Sequence, residues 1–167
     1  MGADRVARRL RGGDDLLSPS FLEGREGLVP VGDVGTGKTH MAEALCALAC
    51  ERALPARPFA APSPVMRRDE GRPDRGLAQI GGAELLAIGE LGFLPPDADG
   101  ARLLSQVVSG ACETQPVVLA TSLEFSRWGS VFGDGQMAAA VIDRVVHHGR
   151  LPRFRGESHR VRHALMK

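Results

Sequence analysis

Gly32-Asp33-Val34-Gly35-Thr36-Gly37-Lys38-Thr39 sets glycines, a lysine and a hydroxyl in the order G-x-x-x-x-G-K-T. Glycines at such spacing let a backbone wrap a phosphate with successive N–H groups turned inward. Lys38 is a compact cation on a flexible stem that can reach β- and γ-phosphates, and the Thr39 hydroxyl can take one position on Mg²⁺. The lysine is a choice. Of the 21 Lys and Arg, only Lys38 and the C-terminal Lys167 are lysines. A P-loop for an adenine nucleotide is the expectation, with Gly32, Asp33, Val34, Gly35, Thr36, Gly37, Lys38 and Thr39 as its binding residues.

A P-loop ATPase also places an acid for Mg²⁺ at the end of a second apolar strand, and many add an adjacent glutamate that orients the attacking water. The matching run here is Leu85-Leu86-Ala87-Ile88-Gly89-Glu90. Glu90 is present, but Gly89 stands where the aspartate is expected. Strand alternation says that Glu90 cannot substitute, because one step along a strand turns the side chain to the other face.

The elements that must position these groups follow from periodicity. Leu28-Val29-Pro30-Val31 is a short apolar strand ahead of the loop, flawed by Pro30, which removes a ladder donor. Lys38 to Arg52 is a helix with Met41, Ala44, Leu45, Leu48 and Ala49 on one face, ended by Leu54-Pro55. Its N-terminus points unpaired N–H groups at the phosphate position. Pro58 to Ala61 is a second strand, Pro62 to Arg75 a loop, and Arg75 to Gln79 a short helix. Asp99 is expected to cap a helix from Gly100 to Glu113, with Leu103, Leu104, Val107, Val108 and Ala111 inward. Pro116 to Ala120 is a fourth strand ending at Thr121-Ser122. Asp134 caps a helix from Gly135 to His148, with Met137, Ala140, Val141 and Val145 on one side, and Leu151 to Phe154 is a last, edge strand. Strands alternating with helices predict an α/β fold around a mainly parallel sheet. Ligands in such sheets bind at the carboxyl ends of strands, here Gly32, Glu90 and Ser122.

Composition supports one globular domain. Hydrophobic residues are 43% and charged residues 25% of 167. No apolar run approaches the ~20 residues that span a membrane. With no signal-peptide pattern and an odd count of three cysteines, the expectation is a cytoplasmic protein with free thiols. Cys46 and Cys50, one helical turn apart, fit helix packing, with metal or redox use as the alternative. Residues 1–17 form a poorly ordered lead-in and 18–167 the nucleotide-binding domain. Net charge is +1, yet Arg144 to Lys167 holds seven Lys and Arg against one acid, Glu157. Arg67, Arg68, Arg72 and Arg75 form a second basic cluster, and Arg5, Arg8, Arg9 and Arg11 a third. Such clusters suit phosphate backbones, or an ordinary arginine-rich surface.

Longer runs resemble a known family, the IstB-type ATPases that help insertion-sequence transposases and are related to DnaC-like helicase loaders. The resemblance runs from about Leu16 to Met166. It is carried by residues 20–26, the loop Gly32 to Thr39, Glu90-Leu91-Gly92-Phe93-Leu94-Pro95 and residues 99–104. It continues through Trp128-Gly129-Ser130-Val131-Phe132-Gly133-Asp134, Asp143-Arg144-Val145-Val146-His147-His148 and Arg155-Gly156-Glu157-Ser158-His159-Arg160. It implies an AAA+-like P-loop NTPase, a three-layer sandwich with no separate lid domain. It also implies ATP with Mg²⁺, DNA binding, a transposase partner and a homo-oligomer. Contacts from the arginines between Arg150 and Arg162 to phosphates would make the DNA binding sequence-independent, and a missing N-terminal region would leave it weak. Within that oligomer, Arg144 is the residue expected to reach a neighbouring subunit's ATP. Glu90, Arg144 and Lys38 would be the catalytic groups, Thr39 the metal ligand, and Ser122 would stand at the polar sensor position, where the family commonly has asparagine.

The departures shape the expected function. Gly89 replaces the family's aspartate, most of the family's N-terminal helical region is absent, and the segment around Met66 to Arg72 is short. The expected protein is a truncated, divergent ATP-binding helper of DNA transposition with impaired hydrolysis. The alternatives are a helicase loader and a nucleotide-binding remnant.

Overall fold

A computed structural model of the chain describes residues 19–60, 82–92, 96–147 and 149–158. The lead-in, the Pro62–Arg75 loop, the Arg75–Gln79 helix, residues 93–95, His148 and the basic clusters at 5–11 and 67–75 lie outside them.

The element order is α1 (Pro19–Glu23), β1 (Gly27–Leu28), β2 (Val31–Gly32), α2 (Lys38–Glu51), β3 (Ala56–Ala60) and β4 (Leu85–Leu91). It continues with α3 (Ala98–Thr114), β5 (Val117–Thr121), a 3₁₀ turn (Phe125–Arg127), α4 (Gly129–Phe132), α5 (Gly135–His147) and β6 (Arg153–Phe154). The strands form one parallel sheet in the order β3-β4-β5-β2-β6, with β1 also paired to β5.

Strand alternation builds a layer on each face. Leu86 and Ile88 of β4, with Val117 and Leu119 of β5, join Leu104, Val108, Val141 and Trp128 on one side. Leu85, Ala87, Val118 and Ala120 face the other way, against Met41, Leu45 and Ala49 of α2 and Phe21 of α1. The result is the expected α/β three-layer sandwich with both sheet faces covered.

The prolines sit where a parallel sheet tolerates them. Pro58 lies in edge strand β3, and Pro152 precedes edge strand β6. Pro30 is central, and it divides the expected single strand into β1 and β2. The neighbouring bonds survive: Val29 N–H donates to the Arg150 carbonyl, Val31 N–H to the Pro152 carbonyl, and the Pro30 carbonyl accepts from Thr121 N–H. The missing donor weakens the ladder without moving the chain.

Several sequence expectations need correction. Helix α3 begins at Ala98, and its cap is Asp97, whose Oδ1 accepts from Gly100 N–H at 2.7 Å. Asp99 instead lies in the first turn, where its charge suits the helix dipole. On α5 the inward residue is Ala138, with Ala140 exposed. Asp134 does cap α5, accepting from Met137 N–H at 2.7 Å. Residues 125–132 form two short helical turns that periodicity did not disclose. Trp128 within them is fully buried, with ring centroids 4.9 Å from Phe125 and 5.5 Å from Phe132. Its place in the core accounts for its presence.

Candidate nucleotide site

Strand β2 ends at Gly32, and the loop turns back to start α2 at Lys38. Gly37 caps that helix in the left-handed region, with φ 105°, and no side chain occupies the cap. The first N–H groups of α2 therefore face the loop without a side-chain cap, which is the arrangement that binds a phosphate. Inside the loop, the Asp33 carbonyl accepts from Lys38 Nζ at 2.6 Å and from Thr36 Oγ1 at 2.8 Å. Both side chains are more than nine-tenths buried. The ammonium is folded down into its own loop, beside the position a phosphate would take. Val34, by contrast, is 67% exposed at the loop tip.

The loop leans on β6 and the segment after it. A Cβ at Gly32 would collide with the Phe154 carbonyl oxygen, and one at Gly35 with Ser158 Oγ. Position 35 thus needs glycine twice over, for its φ of 81° and for the Ser158 hydroxyl against it. Ser158 appears in the sequence only as part of a family-like run; the fold makes it a neighbour of the phosphate loop.

Gly89 lies beside Thr39. A Cβ on Gly89 would stand 3.5 Å from Thr39 Cγ2 and 3.9 Å from the Phe59 carbonyl oxygen, ordinary contact distances. There is room for a Cβ at Gly89 beside the methyl of the expected metal ligand, but no carboxylate stands there. Among the described residues, no group of three or more His, Cys, Asp or Glu stands together as a metal site.

Glu90 does not follow strand alternation. Ile88 pairs with Leu119 and Leu91 with Thr121, so β4 spends one more residue than β5 over this interval. That is a β-bulge, a device that re-aims a side chain. Glu90 sits in it at φ 59° and is exposed. A non-glycine residue held there costs on the order of 1–3 kcal/mol. The alternation argument against Glu90 therefore loses its footing at this residue.

At the end of β5, Ser122 is exposed, while Thr121 is 1% exposed. The Thr121 hydroxyl donates to the Leu91 carbonyl at 2.9 Å and accepts from Leu123 N–H at 2.9 Å. Sequence reasoning passed over Thr121, for which the only signal was its place as the last polar residue of a buried strand.

Arg144 is the one candidate the fold sets apart. It is exposed on the last turn of α5, and its Nη1 donates to Ser109 Oγ at 3.1 Å. That turn packs against the amino end of β1, where a Cβ at Gly27 would strike the Val145 carbonyl oxygen. The phosphate loop is at the carboxyl end of β2, roughly five extended residues or about 17 Å along the sheet.

Among the C-terminal arginines, Arg153 and Arg155 are exposed. Arg150 is engaged, its Nε 2.9 Å from Glu26 Oε2. Arg160 and Arg162 lie outside the described residues. Cys46, Cys50 and Cys112 are free thiols. Cys46 is buried within the α2 layer, which favours the packing reading. No described helix is long and apolar enough to cross a membrane.

Known proteins resemble the chain in sequence and in fold. The chain is 33% identical over 159 residues to the ATP-binding protein of insertion sequence IS5376 from Geobacillus stearothermophilus, covering 93% of this chain and 62% of that protein. It is 32% identical over 166 residues to the ATP-binding protein of insertion sequence IS21 from Pseudomonas aeruginosa, covering 96% and 60%. It thus spans less than two thirds of the length of these relatives. AMPPCP-bound DnaA from Aquifex aeolicus superposes with a TM-score of 0.70 at 16% identity, covering 93% of this chain and 47% of that one. The DnaC helicase loader superposes at 0.68 with 19% identity, covering 93% and 91%. The two solved structures establish a shared AAA+-type P-loop fold. Residues 7–166 match the family of IstB-like ATP binding proteins, and the chain belongs to that family.

Proposed function

We propose that the chain binds ATP through Gly32 to Thr39 and serves insertion-sequence transposition as an ATP-binding helper whose own hydrolysis is weak. One observation carries this reading: a complete phosphate loop stands beside an empty acid position, with Gly89 facing Thr39 across ordinary contact distance. Lys38 would leave the Asp33 carbonyl for the β- and γ-phosphates, and Thr39 would contribute its hydroxyl to Mg²⁺. When bound, Mg²⁺ neutralises charge on the phosphates. This chain supplies it one side-chain ligand where two are usual. Glu90 would orient water from its bulge. Ser122 would offer a hydroxyl at the end of β5.

Arg144 is too far along the sheet to serve its own loop. Its place at the opposite end supports a role toward a neighbouring copy in a homo-oligomer. Exposed Arg153 and Arg155 support weak, sequence-independent contact with DNA phosphates. The insertion-sequence relatives favour a transposase as partner over a helicase, and a reducing cytoplasm as the setting for the three thiols.

Two measurements test the proposal. In calorimetry, Lys38→Ala should weaken ATP by about 10- to 10²-fold, the scale of one charge-assisted contact. Equal affinities would refute the site. Duplex-DNA binding should fall as salt rises, with a log–log slope of about −0.9 per phosphate engaged. Binding insensitive to salt would remove the role given to the arginines.

A further inference from the structure

Glu90 is held in an unfavourable backbone conformation, and something must hold it there. The candidates lie within one small unit. The bulge between Ile88 and Leu91 places Glu90 at φ 59°. The next carbonyl, that of Leu91, accepts the Thr121 hydroxyl at 2.9 Å, and the same oxygen of Thr121 takes the Leu123 N–H at 2.9 Å. Beyond the bulge, Gly92 has φ 87°, and a Cβ there would lie 2.8 Å from Leu123 Cδ2. The end of β4 and the turn after β5 therefore lock together through one buried hydroxyl.

We infer that Thr121 is a positioning residue for Glu90. Its hydroxyl clamps the Leu91 carbonyl so that β4 keeps its bulge, and the bulge sets the direction of the Glu90 carboxylate. The inference deepens the proposed nucleotide site and rests on the role given there to Glu90. The chemistry is one of geometry: the hydroxyl donates one bond and accepts one, which neither valine nor alanine can do in its place. An acid that orients water loses effect steeply when displaced by about 1 Å. Thr121 is buried and its hydroxyl is engaged by two backbone groups, so its influence passes through the backbone of residues 90 and 91.

Two readouts separate this from ordinary core packing. The first is independent of catalysis. Glycine accepts φ 59° without strain, so Glu90→Gly should raise the melting temperature of the otherwise wild-type protein. In a Thr121→Val background the clamp is gone and Glu90 relaxes, so the same substitution should bring no rise. Equal rises in both backgrounds would overturn the inference. If Thr121→Val does not fold, Thr121→Cys carries the same comparison through its weaker donor.

The second readout is single-turnover hydrolysis of labelled ATP in the Gly89→Asp protein, with ATP affinity measured alongside. Thr121→Val should slow hydrolysis on the order of 10-fold with affinity unchanged, and Thr121→Ser should restore the rate. An unchanged rate, or affinity lost in step with rate, would overturn the inference. If the Gly89→Asp protein hydrolyses nothing, the role given to Glu90 fails. The melting comparison then still decides whether Thr121 holds the bulge.

Discussion

Two strand ends meet at the candidate site, and they have fared differently. The end of β2 carries the groups proposed to hold phosphate: glycines with the required backbone, a helix N-terminus without a side-chain cap, a buried Lys38 and a hydroxyl on Thr39. The end of β4 keeps the bulge and Glu90 but has Gly89 opposite Thr39. Upstream of both ends the chain is buried: Leu85 to Ile88 are essentially inaccessible, as are Leu28 and Val29. A strand end without a carboxylate thus sits on a well-packed core. Phosphate binding depends on backbone N–H groups and one cation, while transfer depends on placing charge around the transition state. A chain that lacked one such group would keep the first and be expected to lose much of the second.

The largest expected effect erases the difference between the two ends. Gly89→Asp should raise steady-state ATP turnover by on the order of 10²–10³, the usual worth of one positioned electrostatic group, with a smaller change in affinity. The Cβ has room at 3.5 Å from Thr39 Cγ2. Brisk hydrolysis by the unaltered protein, lost on Glu90→Gln, would instead mean that the β4 end is competent without the aspartate.

A smaller effect tests whether the β2 end is as complete as its geometry implies. Gly35→Ala places a Cβ against Ser158 Oγ at φ 81°. It should destabilise the protein by roughly 1–3 kcal/mol and weaken ATP. Gly110→Ala, a mid-helix glycine with open space around its Cβ position, should stabilise by up to about 1 kcal/mol. Denaturant unfolding of both variants checks the pair. Equal behaviour would mean that the strap at Ser158 does not bear on the loop.

The smallest effect distinguishes a failing site from a failing fold. Burial pushes the Cys46 thiol up to about 11, helped by Cys50 and Glu43. Burial likewise pushes Cys112 up to about 11, against the pull of Arg144. A folded state that retains these protons longer than the unfolded chain is stabilised fully below pH 9. It loses that stabilisation as pH rises through about 11. Urea midpoints should therefore fall across this window, and less so in a Cys46→Ala, Cys112→Ala variant. Cys46 lies in the α2 layer below the loop and Cys112 on the other face, so single variants tell which layer yields first.

Much of this was legible along the chain. The phosphate loop, the sheet class, the helix α2 and the Asp134 cap depend on short-range patterns: glycine spacing, a period of 3.6, a side chain bonding three residues on. The missing acid at Gly89 was legible for the same reason, since a strand followed by its terminal residue is a local reading. What misled was also local. Asp99 and Asp97 are both plausible caps, and only the packing of α3 selects the second. Ala140 and Ala138 are equally apolar, and tertiary packing of α5 decides which turns inward.

The sequence by itself determined which chemistry is available: a loop for phosphate, a glutamate without its neighbouring aspartate, and arginine in place of lysine almost everywhere else. Only the tertiary structure decided where that chemistry points. Strands β4 and β5 are joined through pairing of residues thirty apart, and the register shift between them turns Glu90 into a left-handed residue braced by Thr121. The pairing of β2 with β6 carries Ser158 onto Gly35, and the packing of α5 carries Arg144 to the far end of the sheet. Such contacts arise from register and closure between distant segments, which no local pattern encodes.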